Sequence, residues 1–254
     1  MSSPSRNNRP NNAQQPRLTL RSILIGCGAV IVVGILVVAA LTRHADNAGD
    51  ATDDRVNPSP TPAATSVAAS QAQVPDLARR RPNDPLALGR FDAPVVMVEY
   101  SDFRCPYCGV FARDTKPKLM RFVKDGTLRI EFRDMPIFGA QSTAAAVAGR
   151  AAAAQGKFWE FYDAVYAESP KRGHADLPTS ALVRLGRKAG VPDMDAYTQA
   201  IKKQKDLTSI NADLAEGYQL GVTATPAFLI NSTPILGAQP TDVFIETVEK
   251  EAAK

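Results

Sequence analysis

Two cysteines three positions apart, Cys105 and Cys108, are the residues whose types and spacing most favour chemistry in this sequence. They enclose Pro106 and Tyr107. Residues three apart lie about one turn apart on one face of a helix, which brings their Cα atoms near the roughly 4.4–6.8 Å that a disulfide bond requires. A disulfide across so short a loop restricts the unfolded chain very little. The spacing therefore favours a redox pair over a structural crosslink.

The chain around the pair predicts a strand that ends, and a helix that begins, near Cys105. Residues 95–98 are apolar, as in a buried strand, and apolar residues at helical spacing follow the cysteines. At the first turn of that helix, unpaired backbone N–H groups and the helix dipole favour a thiolate. Arg104 adds positive charge, and Pro106 suits a position whose N–H has no helical partner. We expect Cys105 to be an accessible nucleophile with a lowered pKa, and Cys108 to be the covered, resolving thiol.

A zinc site and a pair of core thiols are the other interpretations of the two cysteines. Zinc needs four ligands, and beyond residue 42 the sequence adds only His44 and His174 to this pair. We place His174 on the surface, in a polar loop with no visible partner. The ligand count argues against a metal, and the predicted chemistry needs neither a metal nor an organic cofactor.

The N-terminal region predicts a membrane anchor. Residues 1–22 carry four arginines and no acidic residue, and residues 23–41 form an uncharged, mostly apolar run that is long enough to cross a bilayer. Arginines before this run and aspartates after it place the N-terminus in the cytoplasm and the remaining chain outside. A cleaved signal peptide and a lipid-modified Cys27 are the alternatives.

The rest of the chain carries equal numbers of basic and acidic residues, so the net charge of +4 belongs to the N-terminal tail. A nucleic-acid surface is not predicted, because it would need basic residues clustered on the folded domain. Residues 42–83 are rich in Ala, Pro, Ser, Thr and Asp and predict a disordered linker. We interpret Arg79-Arg80-Arg81, at its end, as solvated charges.

Residues 84–254 predict one α/β domain. An edge strand is expected at 86–89 and a strand with one covered face at 128–133, so the strand–helix–strand order indicates a parallel βαβ unit. Pro117 is expected to kink the first helix. Helices are predicted at 141–154, from 158, at 179–189 and at 207–218, with the aromatic residues of 158–162 in the core. A hairpin at 227–236 and a last helix, capped by Thr241 and running through Ala252, complete the domain.

This order of elements, with Cys105-Pro106-Tyr107-Cys108 and with Gly221–Pro226 ahead of the hairpin, resembles the thioredoxin superfamily. The helical block at about 140–220 resembles the insertion of the DsbA-type thiol oxidoreductases. The resemblance implies a thioredoxin fold with a helical insertion domain. It also implies a cis bond between Thr225 and Pro226, which would face the disulfide and bind extended substrate.

The same resemblance assigns residues that tune the redox centre. Glu99, six residues before Cys105, matches the buried acid of the family. Either it relays a proton to Cys108, or it lies at a strand edge and faces solvent. Arg104 and Pro106, singled out above from the first turn of the helix, and Tyr107 complete the set; Tyr107 stands where the enteric DsbA proteins have a histidine.

A membrane-tethered thiol–disulfide oxidoreductase, which donates its disulfide to secreted or envelope proteins, is the function that the resemblance implies. Its substrates would be unfolded or partly folded secreted proteins with cysteines. Its reoxidant would be a quinone-linked membrane protein of the DsbB or vitamin-K-epoxide-reductase type. Two alternatives stay open: an envelope thiol reductase, and a chaperone or peptide-binding module whose disulfide is structural.

Overall fold

The computed structural model describes residues 76–254. The predicted basic tail (1–22), the membrane anchor (23–41), Cys27 and linker residues 42–75 lie outside this range. Within it, no helix has both the length and the apolar character that a membrane span requires.

A five-stranded sheet forms the centre of the domain. Its spatial order is β1-β3-β2-β4-β5, and β2 and β3 are parallel, which confirms the predicted βαβ unit. The other neighbouring pairs are antiparallel, including the predicted hairpin of β4 and β5. The strands are β1 (Ala87–Leu88), β2 (Val95–Ser101), β3 (Leu128–Asp134), β4 (Ala227–Ile230) and β5 (Thr233–Leu236).

Eight α-helices and one π-helical turn pack around the sheet within residues 76–254, and α3–α7 form the predicted helical insertion. The helices are α1 (Pro106–Val110), α2 (Lys116–Lys124), α3 (Ala140–Ala153), α4 (Phe158–Ala167), α5 (Thr179–Lys188), α6 (Met194–Lys202), α7 (Leu207–Gln219) and α8 (Thr241–Ala252). Helix α6 is absent from the sequence-based prediction. Its start is capped by the Asp193 side chain, which accepts a hydrogen bond from the N–H of Ala196 at 2.8 Å.

The π-helical turn, Phe111–Thr115, interrupts the helix that carries the cysteines. The N–H of Lys116 donates to the carbonyl of Phe111, five residues back, as in a π-helix. Pro117 follows at once and has no N–H to donate. The break expected at Pro117 is therefore a widened turn directly before it.

Strand β2 is covered on both faces, which explains its apolar run. On one face Val95 and Met97 pack with Phe111 of the π-helical turn and Phe244 of α8. On the other face Val96, Val98 and Tyr100 pack with Met135 and with residues of the segment before β1 and of α7. Both cysteines belong to a third cluster, the core of the helical insertion. The active-site helix thus lies between the sheet and the insertion.

Strand β3 differs from its prediction, because its charged face is buried. Arg129, Glu131 and Arg133 are at most 3% exposed. Glu131 bonds both arginines, at 2.8 Å to Arg129 Nε and 2.9 Å to Arg133 Nη2. Ion pairing holds the pKa of Glu131 at about 2, against the opposing effect of burial. The expectation of one solvent-facing side is wrong, since these charges pair with one another and with groups distant in sequence, such as Glu216 on Arg133.

The arginine run before β1 supplies part of that neutralisation. Backbone N–H groups of Arg79 and Arg80 donate to the Glu131 carboxylate at 2.9 and 2.8 Å. The Arg79 guanidinium bonds Asp213 of α7 at 2.7 Å. Of the three arginines interpreted as solvated, only Arg81 is exposed.

The predicted cap of the last helix is also wrong. Pro240 occupies the N-cap position of α8, and Thr241 is its first helical residue. The Thr241 hydroxyl instead pairs with the hydroxyl of Thr115 at 3.0 Å, which joins α8 to the end of the π-helical turn.

Candidate active site

Asp102 fixes the turn between β2 and the cysteines. Its buried carboxylate accepts the N–H groups of Arg104 and Ile137, both at 2.8 Å, and of Phe138 at 3.3 Å. Its carbonyl accepts the N–H of Cys105 at 3.0 Å. Cys105 thereby takes the N-cap position of α1 with extended backbone, and Pro106 is the first helical residue, as predicted.

Both thiols are free and buried in this structure, with exposed fractions of 2% for Cys105 and 0% for Cys108. The expected difference in accessibility is therefore much smaller than predicted. Cys105 occupies the N-cap position of α1, and Cys108 lies within its first turn. The two sulfurs therefore differ in their hydrogen-bond partners rather than in their exposure.

Hydrogen bonds pull the pKa values of the two cysteines apart. The pKa of Cys105 falls to about 6, chiefly through the hydrogen bond from Cys108 and then through Thr225 and the backbone N–H groups of α1, while burial opposes the fall. The pKa of Cys108 is raised well above its ordinary value, first by burial and then by the neighbouring Cys105. Cys105 is the thiol that ionises near neutral pH, as its predicted role as nucleophile requires.

The loop before β4 faces Cys105, as the resemblance implied. The Thr225–Pro226 bond is cis, and the Cys105 thiol donates to the Thr225 carbonyl at 3.2 Å. The Thr225 hydroxyl is buried and has no hydrogen-bond partner among the described residues. The Thr225 side chain also acts to lower the pKa of Cys105, which is the effect expected of a hydroxyl that donates to the thiolate.

Glu99 lies beneath the cysteines and is completely buried. Its Oε1 accepts from the Tyr162 hydroxyl at 2.9 Å, and its Oε2 has no partner among the described residues. Burial raises the pKa of Glu99 to about 7, although Tyr162, Ser101 and Lys116 each lower it. The interpretation of Glu99 as a solvent-facing residue at a strand edge is wrong.

A buried cation completes the surroundings of Glu99. Lys116 is 5% exposed and bonds Asp163 at 2.7 Å. Its ammonium group lies 4.8 Å from the ring centroid of Tyr162 and 5.3 Å from that of Trp159. These cation–π contacts hold the positive charge of Lys116 near the Glu99 carboxyl without a direct ion pair between the two side chains.

The remaining predicted residues surround the entrance to Cys105. Arg104 directs its guanidinium to backbone carbonyls, those of Ala175 at 2.7 Å and of Phe138. It thus ties the insertion to the active-site turn. Tyr107 is 64% exposed. His174 is exposed, as expected, but it stacks on Phe138 with ring centroids 4.0 Å apart, a partner that the sequence did not reveal.

Surface hollows adjoin the Thr225 loop. A small one of about 130 Å³ is formed by the loop itself together with Leu236 and Gly237. A larger, mostly apolar groove of about 330 Å³ continues from it along β4 and β5. The two share part of their lining: Gly221, Val222, Ala227 and Leu236.

The sequence-based reasoning missed five residues that surround Glu99 and Cys108. Four are polar groups whose partners come from another element, and one is a lysine of α2. A usable signal was present, because Ser101 follows Glu99 by two strand positions and therefore shares its face. The five residues are Ser101, Asp102, Lys116, Tyr162 and Tyr166.

Comparison with known proteins identifies relatives of the whole domain. The family model described as Thioredoxin matches residues 82–250. Disulfide bond formation protein D of Bacillus subtilis is 26% identical over 167 residues, which cover 65% of this chain and 75% of that protein. Na(+)/H(+) antiporter NhaA 3 of Salinispora tropica is 32% identical over 146 residues, 56% of this chain but 21% of the antiporter, so the chain spans a small part of that relative.

A solved structure agrees with these matches. Oxidised BdbD from Bacillus subtilis has a TM-score of 0.63 and 26% sequence identity, and the match covers 68% of this chain and 94% of that one. The paired cysteines, the cis loop and the helical insertion all lie within the matched domain. The chain therefore belongs to the thioredoxin family, as a DsbA-like protein disulfide oxidoreductase.

Proposed function

We propose that this oxidoreductase donates a disulfide to secreted or envelope proteins through Cys105-Pro106-Tyr107-Cys108. The observation that carries the proposal is the lowered pKa of Cys105, to about 6. A thiol with a low pKa is a good leaving group, and a stabilised reduced form makes the disulfide more oxidising. The protein therefore favours passing its disulfide on.

In the first step a substrate thiolate attacks the Cys105 sulfur of the oxidised pair. The bond between the two enzyme sulfurs breaks, a mixed disulfide forms on Cys105, and Cys108 leaves as a thiolate. A second substrate thiolate then attacks its own sulfur in the mixed disulfide and releases Cys105 as a thiolate. The substrate is oxidised by two electrons and the enzyme pair is reduced by two.

Glu99 supplies the proton that buried Cys108 needs. A thiolate without solvent or a counter-ion is costly in this interior, and the pKa of Cys108 is raised accordingly. A carboxyl whose pKa is about 7 can give up or accept a proton near neutral pH. Glu99 thus protonates Cys108 when the disulfide opens, and takes the proton back when the pair is reoxidised.

The Thr225 loop and the apolar groove beside it receive the substrate. The Thr225 carbonyl already faces Cys105, and an extended peptide can pair with backbone groups at such an edge. The groove of about 330 Å³ along β4 and β5 is lined mostly by apolar side chains. Unfolded or partly folded proteins, which expose apolar side chains next to their cysteines, fit this combination.

Cellular placement is part of the same proposal. Residues 23–41 anchor the chain in the membrane, residues 1–22 lie in the cytoplasm, and the redox domain lies outside. The support is the uncharged apolar run and the arginines before it. Reoxidation falls to a quinone-linked membrane partner of the DsbB or vitamin-K-epoxide-reductase type, because each turnover leaves a reduced pair.

The reduction potential tests the direction of electron flow. We expect a value between about −270 and −120 mV, the potentials of thioredoxin and of DsbA, because the pKa of Cys105, about 6, lies between about 7 for thioredoxin and about 3.5 for DsbA. Equilibration with glutathione buffers, followed by alkylation and mass measurement, gives the potential. A value at or below that of thioredoxin would favour the envelope reductase. A pair that resists mild reductant would favour the module with a structural disulfide.

A further inference from the structure

A fully buried proton donor and acceptor need a path between them. Glu99 and Cys108 are both 0% exposed. A protein hydroxyl beside both groups can carry the proton exchanged between them. Ser101, which is 2% exposed, shares a face of β2 with Glu99, and its side chain acts to lower the pKa of both Glu99 and Cys108.

Two residues of strand β2 contact two residues of helix α4 at this point. Glu99 and Ser101 are two residues apart on a strand and point to the same face, while Tyr162 and Tyr166 are one helical turn apart and also share a face. Tyr162 bonds Glu99 at 2.9 Å, and the hydroxyls of Tyr166 and Ser101 lie 3.0 Å apart. The tyrosine rings pack with their centroids 4.6 Å apart, which keeps the two pairs together.

The hydrogen-bonding capacity of these groups fits a relay. A hydroxyl has one proton to donate and can accept two. When Tyr166 donates to Ser101, the serine can still accept from Cys108 and donate to Glu99. Tyr162 occupies Oε1 of Glu99, and the buried Oε2 has no hydrogen-bond partner within residues 76–254. The atom left open is therefore the one that a proton transfer would use.

We infer that Ser101 is the catalytic bridge that carries the proton between Glu99 and Cys108, and that Tyr166 positions its hydroxyl. This inference rests on the proposed role of Glu99. When the disulfide opens, the Ser101 hydroxyl gives its proton to the Cys108 thiolate and takes one from the Glu99 carboxyl. Cys108 becomes a thiol, the serine is regenerated and Glu99 becomes a carboxylate. Reoxidation runs the same transfer in reverse.

The step to measure is the one in which Cys108 acts. Reduced full-length protein is mixed rapidly with oxidised glutathione, quenched with acid and analysed by mass spectrometry. The first phase forms the mixed disulfide on Cys105, and the second closes the bond between the two cysteines and releases glutathione. We expect Ser101→Ala to slow the second phase at least tenfold at pH 7 and to leave the first phase within twofold, because a positioned proton acceptor contributes about 10²–10⁴-fold.

The pH profile separates a relay from a packing effect. The groups facing Glu99 and Cys108 are Lys116 of α2, Tyr162, Asp163 and Tyr166 of α4, and Cys105 at the start of α1. In the wild type the second phase should rise with pH and level off near the Glu99 pKa of about 7. In Ser101→Ala it should keep rising above pH 8. Ser101→Thr, which keeps the hydroxyl, should restore the wild-type profile.

Two further variants fix the assignment. Tyr166→Phe should slow the second phase severalfold and keep its pH midpoint, because it removes the group that holds Ser101. Tyr197→Phe is the matched control: a buried insertion tyrosine whose hydroxyl donates to the Leu182 carbonyl at 3.1 Å, away from the cysteines. It should leave both phases unchanged.

The Glu99→Gln variant tests the role of Ser101 separately from the proposed role of Glu99. If Glu99→Gln slows the second phase and Ser101→Ala does not, the bridge is overturned while the role of Glu99 stands. If neither slows it, both fall. If the bridge is correct, the double variant should be no slower than the slower single one, because the two residues serve one path.

Discussion

Replacing Thr225 by valine should raise the pKa of Cys105, because valine keeps the side-chain volume and removes only the hydroxyl. That hydroxyl is buried, has no hydrogen-bond partner in the part of the chain that the structure describes, and acts to lower the pKa of Cys105. A hydrogen bond to a charged group contributes about 1.5–3 kcal/mol, which corresponds to about 1–2 pKa units. The pKa should therefore move from about 6 to between about 7 and 8.

The consequence at pH 7 is a smaller thiolate fraction and a less oxidising pair. The fraction of thiolate should fall from about 90% to between about 10% and 50%. Losing that stabilisation of the reduced form lowers the reduction potential by about 20–30 mV, since about 30 mV corresponds to a tenfold change in this two-electron couple.

Ultraviolet absorbance of the thiolate, followed from pH 4 to pH 9 on the reduced protein, measures the pKa directly. The rate of alkylation by iodoacetamide at each pH checks that the titrating group is Cys105. Thr225→Ser, which keeps a hydroxyl, is the control and should titrate close to the wild type. If the valine variant titrates within about 0.3 units of the wild type, the hydroxyl does not bind the thiolate and the account of Thr225 given above is wrong.

Three other predictions follow from the site and its supports. Cys108→Ala should accumulate mixed disulfides on Cys105, because the resolving thiol is gone; non-reducing gels of envelope extracts should show adducts that reductant removes. Glu99→Gln should stabilise the reduced protein. In the folded protein the pKa of Glu99 is about 7, against an ordinary value of 4.5, so its ionisation costs stability as the pH rises through this range. Denaturation at pH 5 and at pH 8 should therefore show that the variant exceeds the wild type in free energy of unfolding by an amount that grows to roughly 3 kcal/mol. Asp213→Asn should destabilise by about 1–3 kcal/mol in the same assay, because Arg79 and Arg150 each lose one of two carboxylate partners and keep Glu216 and Asp134.

The redox centre was predictable because its signals are local. Three patterns indicated it: the apolar run of β2, the spacing of the cysteines and the residues around the hairpin. Each pattern involves residues that are only a few positions apart in the sequence. The roles of Thr225 and Pro226 came from resemblance, and the structure confirmed their position opposite Cys105.

What the sequence concealed depends on partners far along the chain. Alternating charges on β3 predict a solvated face unless other groups pair with them. Glu131 accepts from the Arg79 backbone and Arg133 pairs with Glu216, and both partners lie more than 50 residues away in the sequence. Tyr162 and Tyr166 have the helical spacing of core residues and are indeed buried. Their hydroxyls gain a role only because α4 packs against β2, which no local pattern encodes.

The hydrogen bonding of the segment before β1 bears on where proteases can separate the domain from the chain ahead of it. Three consecutive arginines make residues 79–81 an obvious target for trypsin-like enzymes. Yet the peptide groups of Arg79 and Arg80 are bonded to buried Glu131, and the Arg79 side chain is held by Asp213. Cleavage requires an extended, free backbone, so the native domain shields these bonds. A protease that releases the domain with these contacts intact therefore has to cut ahead of Arg79.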